Sequence, residues 1–152
     1  MQAPVLLREA TYDVTGRVGP GDVGFTIELG RPGVGVRFRD IQVMCRALAA
    51  AGVAFEKKNP VTSLMSDVST GTIREDILDE KVLSAIVEIK VPVSRAEEVI
   101  RLVWDVEKRI DTVVSIGAGV RCDFPVHGEP GIRGRRASRR PLLSRSVLVR
   151  LR

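Results

Sequence analysis

Glycines 30, 33 and 35 interleave with Arg31 and Arg37 in the string Gly-Arg-Pro-Gly-Val-Gly-Val-Arg that covers residues 30–37. A helical pattern begins directly after it. Free N–H groups at a helix N-terminus attract anions, and glycine lets a ligand come close to the backbone. Arg31 and Arg37 add charge-assisted hydrogen bonds suited to a carboxylate or a phosphate. The spacing therefore names Gly30, Arg31, Gly33, Val34 and Arg37 as candidate ligand-binding residues and a small anionic metabolite as the ligand. An ordinary strand-to-helix turn has the same composition, because glycine-rich loops are common. Lys57-Lys58 could extend the cation cluster, although paired lysines at a strand end are ordinarily solvated.

The remaining inventory excludes more than it offers. His127 is the only histidine, so a His-based triad or a multi-His metal site cannot be built within one chain. Glu75, Asp76, Asp79 and Glu80 match no metal-binding loop, and an exposed acidic helix accounts for them. No metal and no cofactor is expected. Cys45 falls in a helical pattern and Cys122 near a strand end. They read as two reduced, half-buried thiols of a cytoplasmic protein, not as a disulfide framework. Shared-carboxylate or cysteine chemistry has no motif in its favour, so no catalytic residue is assigned and a non-enzymatic role is the expectation. The opening residues, MQAPVLLREA, lack a basic stretch followed by a long apolar one, so no signal peptide is expected. No apolar run approaches the ~20 residues that span a bilayer, so no membrane partner is expected either.

These residues must be held by elements that the apolar pattern reveals. GFTIEL (24–29) alternates Phe25, Ile27 and Leu29 against Thr26 and Glu28, the period of a half-buried strand. In residues 38–52, Ile41, Met44, Cys45, Leu48 and Ala51 recur at steps of three and four, one stripe of a helix. Asp40 suits its N-terminal dipole, and Gly52 sits where a left-handed cap would end it. Val53 and Phe55 mark a second strand. Residues 59–80 hold turn formers and no sustained period, read as a flap or a disordered loop. Within them Thr72 and Glu75 fit a capping box for a short helix over 72–81.

VLSAIVEIKVPV (82–93) places Leu83, Ala85, Val87, Ile89 and Val91 on one face of a third strand. Ser94 and Glu97 fit a second capping box, opening a helix with the stripe Ala96, Val99, Ile100, Val103 and Ile110. Lys108 and Arg109 suit its C-terminus. Residues 111–124 close the pattern as a strand, with Gly117 and Gly119 marking a bulge or close packing. The order over 24–124 predicts an α+β domain of ferredoxin-like βαββαβ type, an antiparallel sheet with both helices on one face. Thr26, Glu28, Ser84, Ile86, Glu88 and Lys90 face the other way. An N-terminal strand over 5–14, or a partner in a homodimer, could cover that face. Trp104 lies off the main stripe of its helix, as expected of an interface residue.

The stretch FTIELGRPGVGVRFRDIQVMCRALAAAGVAF resembles the first βαβ unit of an ACT-type regulatory domain, in which a strand runs into an Arg-Pro-Gly loop and then a helix with an Ala/Gly-Val end. Here these are Arg31-Pro32-Gly33-Val34 and Ala51-Gly52-Val53. Residues 84–117 resemble the second half. The resemblance covers residues 24–119 and implies a regulatory, ligand-binding module. The chain departs from the pattern in three places. Residues 35–39 are additional, Gly30 stands where an acid is usual, and the segment 59–80 replaces a short hairpin.

Charge divides the chain. Residues 1–124 hold 16 Lys/Arg and 18 Asp/Glu, net −2, whereas residues 125–152 hold 8 Arg and only Glu129, net +7, which together make the formal +5. The division predicts a domain over 1–124 followed by an Arg-rich, flexible tail over 125–152. Arginine suits phosphates, so Arg135, Arg136, Arg139 and Arg140 are candidate nucleic-acid contacts. The 4% aromatic content argues against stacking on bases. Residues 146–151 alternate enough to add a strand to a sheet edge. Three functions follow in decreasing order. The first is a binding or regulatory homo-oligomer for a small anionic metabolite. The second is a nucleic-acid accessory acting through the tail, and the third a small ferredoxin-like enzyme with 59–80 as lid.

Overall fold

The computed structural model describes residues 16–120 together with Val149 and Arg150. The candidate strand 5–14, Cys122, His127 and the tail arginines 135, 136, 139 and 140 lie outside the described residues. The chain is a mixed α/β fold with antiparallel sheets. Strand β1 (Asp22–Gly30) pairs with β7 (Ser84–Pro92) on one side and β8 (Val114–Val120) on the other. Strand β3 (Ala54–Phe55) adds to β7, and β9 (Val149–Arg150) adds to β8, so the sheet runs β3-β7-β1-β8-β9. The alternation read in 146–151 thus meets a short edge strand, in register with Ser115 and Ile116.

Period-two patterning explains the core. Val23, Phe25, Ile27 and Leu29 of β1, Val87, Ile89 and Val91 of β7, and Val114 and Ile116 of β8 form one buried cluster. Two helices close it: α1 (Phe38–Ala50), through Ile41, Met44, Cys45 and Leu48, and α3 (Ala96–Glu107), through Val99, Val103 and Val106. Branched aliphatic side chains fill this interior, as the scarcity of aromatics requires. Gly52 ends α1 with φ +67°, the left-handed region expected of it.

Several expectations are corrected. Ser94 caps nothing: residues 93–95 form a 3-10 turn, α3 starts at Ala96, and its N-cap is Arg95, which makes no side-chain cap bond. Arg95 pairs with Glu98 and donates to the Ala51 carbonyl instead. The helix expected over 72–81 is absent. Thr72 and Ile73 form strand β5, paired with β4 (Met65–Asp67), and a single 3-10 turn follows at Glu75–Ile77. Ile73 is buried and its N–H donates to Gln42 Oε1, so tertiary burial overrides the local capping signal. Residues 59–80 are therefore folded: α2 (Pro60–Ser63), the β4–β5 hairpin, and a return to β6 (Lys81–Val82). Leu83, placed on the apolar face by alternation, is 69% exposed because it stands outside the end of β7. No bulge interrupts β8 at its glycines, which pair in unbroken register with Thr26 and Gly24.

Burial has a chemical consequence at Cys45. It pushes the thiol up from 9.0 to about 12. In the unfolded chain the thiol ionises from about pH 9.0, and in the folded chain only near 12. Its contribution to stability is whole below the lower value and is lost as pH climbs through that window. In a Cys122→Ser background, the urea midpoint should fall more steeply between these two pH values than in the same background with Cys45→Ala. Iodoacetamide at neutral pH should label Cys45 only after unfolding.

Candidate anion-binding turn

The turn after β1 is built from two close backbone approaches. Gly30 has φ +78°, and a Cβ there would stand 3.0 Å from both the Gly35 carbonyl carbon and the Leu83 oxygen. Gly35 has φ +71°, and a Cβ there would stand 2.9 Å from the Val82 oxygen. Only glycine fits either position. Between them Val34 and Gly35 N–H both donate to the Arg31 carbonyl, at 3.0 and 2.9 Å, and Thr112 Oγ1 donates to the Gly35 carbonyl at 2.7 Å. Arg31, Pro32, Gly33 and Val34 remain exposed at the tip, and β2 (Val36–Arg37) leads into α1.

The helix N-terminus is engaged. Phe38 N–H donates to the Glu80 carbonyl at 3.1 Å and Arg39 N–H to the Leu78 carbonyl at 3.0 Å. The backbone amides predicted to cradle an anion are thus largely taken by the returning segment. What the turn offers is side-chain charge. Strand β2 pairs antiparallel with β6, and the register sets Arg37 opposite Lys81. Two exposed cations facing each other across a two-stranded ladder repel. Arg37 Nη1 donates to the Asp79 carbonyl at 3.1 Å. Asp79 Oδ1 is bound by Arg39 at 2.5 Å, and that hydrogen bond, with the guanidinium charge, holds the Asp79 carboxyl below the usual carboxylate range. Arg31 stands on the exposed tip of the same turn.

Lys81 was not legible as part of this set, since nothing local marks it and only the β2–β6 register brings it to Arg37. The other sequence candidates disperse. Lys57 and Lys58 are exposed, with Lys58 N–H donating to Glu56. Asp76 pairs with Arg74 and Asp79 with Arg39, and no group of three metal-binding side chains occurs among the described residues. Trp104 is 49% exposed on α3.

A second polar cluster lies across the sheet from the helices. Arg17 and Glu56 form an ion pair, Asn59 donates to Glu88 Oε2 at 2.8 Å, and Lys90 reaches the Arg17 carbonyl at 3.1 Å and Asp22 at 3.5 Å. Asn59 also caps α2 through Val61 N–H. These groups tie residues 17–22 to β3 and β7, so each has a structural partner. No helix among the described residues is long and apolar enough to cross a membrane. Comparison with protein-family models, with curated proteins and with solved structures finds no match.

Proposed function

We infer that this chain is a non-enzymatic binding or regulatory module of ferredoxin-like, ACT-like build, acting as a homo-oligomer and taking a small anionic metabolite at the turn after β1. The sheet order supports the architecture: with β1, β3, β7 and β8 as the four strands and α1 and α3 as the two helices, the arrangement is βαββαβ. One observation carries the ligand. Arg37 and Lys81 oppose each other in register, a repulsion that a carboxylate or phosphate between them would relieve, and Arg31 is exposed on the tip of the same turn.

The test uses sign as well as size. Without ligand, Lys81→Gln should leave the melting temperature equal or slightly higher, because a like-charge pair of about 0.2–1 kcal/mol disappears. With inorganic phosphate or citrate, the parent chain should show a concentration-dependent rise in melting temperature. Lys81→Gln and Arg31→Ala should each weaken that response about tenfold, the loss of one charge-assisted hydrogen bond of roughly 1.5 kcal/mol. A parent chain indifferent to a panel of phosphates, carboxylates and amino acids at millimolar concentration would defeat the reading.

A further inference from the structure

Two guanidinium groups converge on one residue beside the turn. Arg37 ends β2, and Arg39 lies in the first turn of α1. The segment 78–80 is tied to the start of that helix, because Arg39 N–H donates to the Leu78 carbonyl at 3.0 Å and Phe38 N–H to the Glu80 carbonyl at 3.1 Å. These bonds set Asp79 within reach of both arginine side chains. Arg37 Nη1 donates to its carbonyl at 3.1 Å and Arg39 Nη2 to its Oδ1 at 2.5 Å. The two contacts differ in kind. Arg37 meets a neutral carbonyl there, whereas Arg39 meets a carboxylate. That ion pair stands in water, with the Arg39 and Asp79 side chains 60% and 82% exposed. Exposed pairs of this kind contribute little to stability, so an incoming anion breaks it at small cost.

We propose that Arg39 is a further anion-binding residue and that Asp79 sets the specificity of the site: its carboxylate occupies the place of the ligand's anionic group, turns away monocarboxylates and yields to phosphate monoesters. The argument is one of exchange. A free monocarboxylate that displaces Asp79 replaces one charge-assisted bond to Arg39 with another of the same kind. It also competes against a group tethered at the site, whose effective concentration is on the order of millimolar or above. A phosphate monoester dianion brings a second charge and a third oxygen. It bridges Arg39 and Arg37, whose planar forks match phosphate oxygens, and Lys81 stands opposite Arg37 in register. Only the dianion gains by the exchange. The inference rests on the anion reading above and names its substrate class.

The test titrates the full chain with methyl phosphate and with acetate, at constant ionic strength and about pH 8, where a phosphate monoester is doubly charged. The amide NMR signals of Arg37 and Lys81 report binding at this turn and not at the Arg-rich tail. Methyl phosphate should shift them in the parent chain and acetate should not. Asp79→Asn should bind methyl phosphate about threefold to tenfold more tightly and should gain acetate binding. Glu80→Gln makes the same charge change one exposed residue further on, and it should alter neither affinity by more than about twofold. Arg39→Gln should bind methyl phosphate about tenfold more weakly, and Asp79→Asn added to it should bring no gain. A gain that persists without Arg39 would be a general charge effect and would overturn the proposal. So would acetate binding the parent chain as tightly as methyl phosphate, or a methyl phosphate affinity that Arg39→Gln leaves unmoved. In either of these cases, loss of binding in Lys81→Gln would leave the anion reading standing without the role given to Asp79. Signals unmoved by both anions in the parent chain and in Asp79→Asn would sink the two together.

Discussion

Replacing Gly71 with alanine should lower the stability of the whole chain by about 3 kcal/mol, or about 6–12 °C in melting temperature for a domain of this length. Two costs combine. Gly71 has φ +68°, where an L-residue loses roughly 1–2 kcal/mol. The added Cβ would also fall 2.8 Å from the Arg46 amide nitrogen and closer still to the Cys45 carbonyl. Both are backbone atoms of α1, so no side chain can swing away, and overpacking of this kind costs about 1–3 kcal/mol. Gly33 is the control. It has φ +86° but nothing within 4 Å of a Cβ, so Gly33→Ala should show the conformational cost alone. Equal melting temperatures for the two variants would show that the β4–β5 hairpin does not press on α1.

That contact marks where sequence reasoning stopped. The elements of the core were legible because their periods are clean: Phe25, Ile27 and Leu29 alternate, and Ile41, Met44, Cys45 and Leu48 step by three and four, and all are buried. Residues 59–80 were not legible. Their structure depends on distant partners: Gln42 receiving Ile73 N–H, Cys45 backing Gly71, and Leu64 accepting Arg74 N–H at 3.1 Å. None of these leaves a local period. The two capping boxes were misleading for a related reason. Ser94 and Thr72 carry the right spacing, yet a 3-10 turn and a strand take those positions.

The candidate site divides similarly. The glycines of the 30–37 turn announced a tight backbone, and Gly30, Gly33 and Gly35 all adopt positive φ. The expectation of free amides failed, because the segment 78–80 returns to take them. Its return also delivers Lys81 opposite Arg37, the charge pair on which the proposed ligand depends. A connection that the pattern left blank thus both closes the backbone site and supplies a cation to it.

The other large effect belongs to the centre of the sheet. Ile27→Ala should cost about 4–5 kcal/mol, the upper part of the range for an aliphatic side chain cut to alanine in a core. Ile27 is fully buried in the middle strand, and its register partners are Val87 on β7 and Ile116 on β8, both buried. The cost of a cavity depends on how far its walls can collapse. Here the strand walls are β-branched side chains with stiff χ1 angles on paired strands, and they cannot swing inward. Aromatic rings are scarce, at 4% of the chain. Ile27→Val should cost only about 1 kcal/mol, since it removes one methyl group. Val68, 44% exposed on the hairpin turn, gives the opposite limit, and Val68→Ala should stay within about 0.5 kcal/mol of the parent chain. Urea melts of the three variants would check the order. A loss for Ile27→Ala no greater than that for Ile27→Val would mean that the central strand is not the rigid seam on which both helices, and through α1 the candidate turn, are mounted.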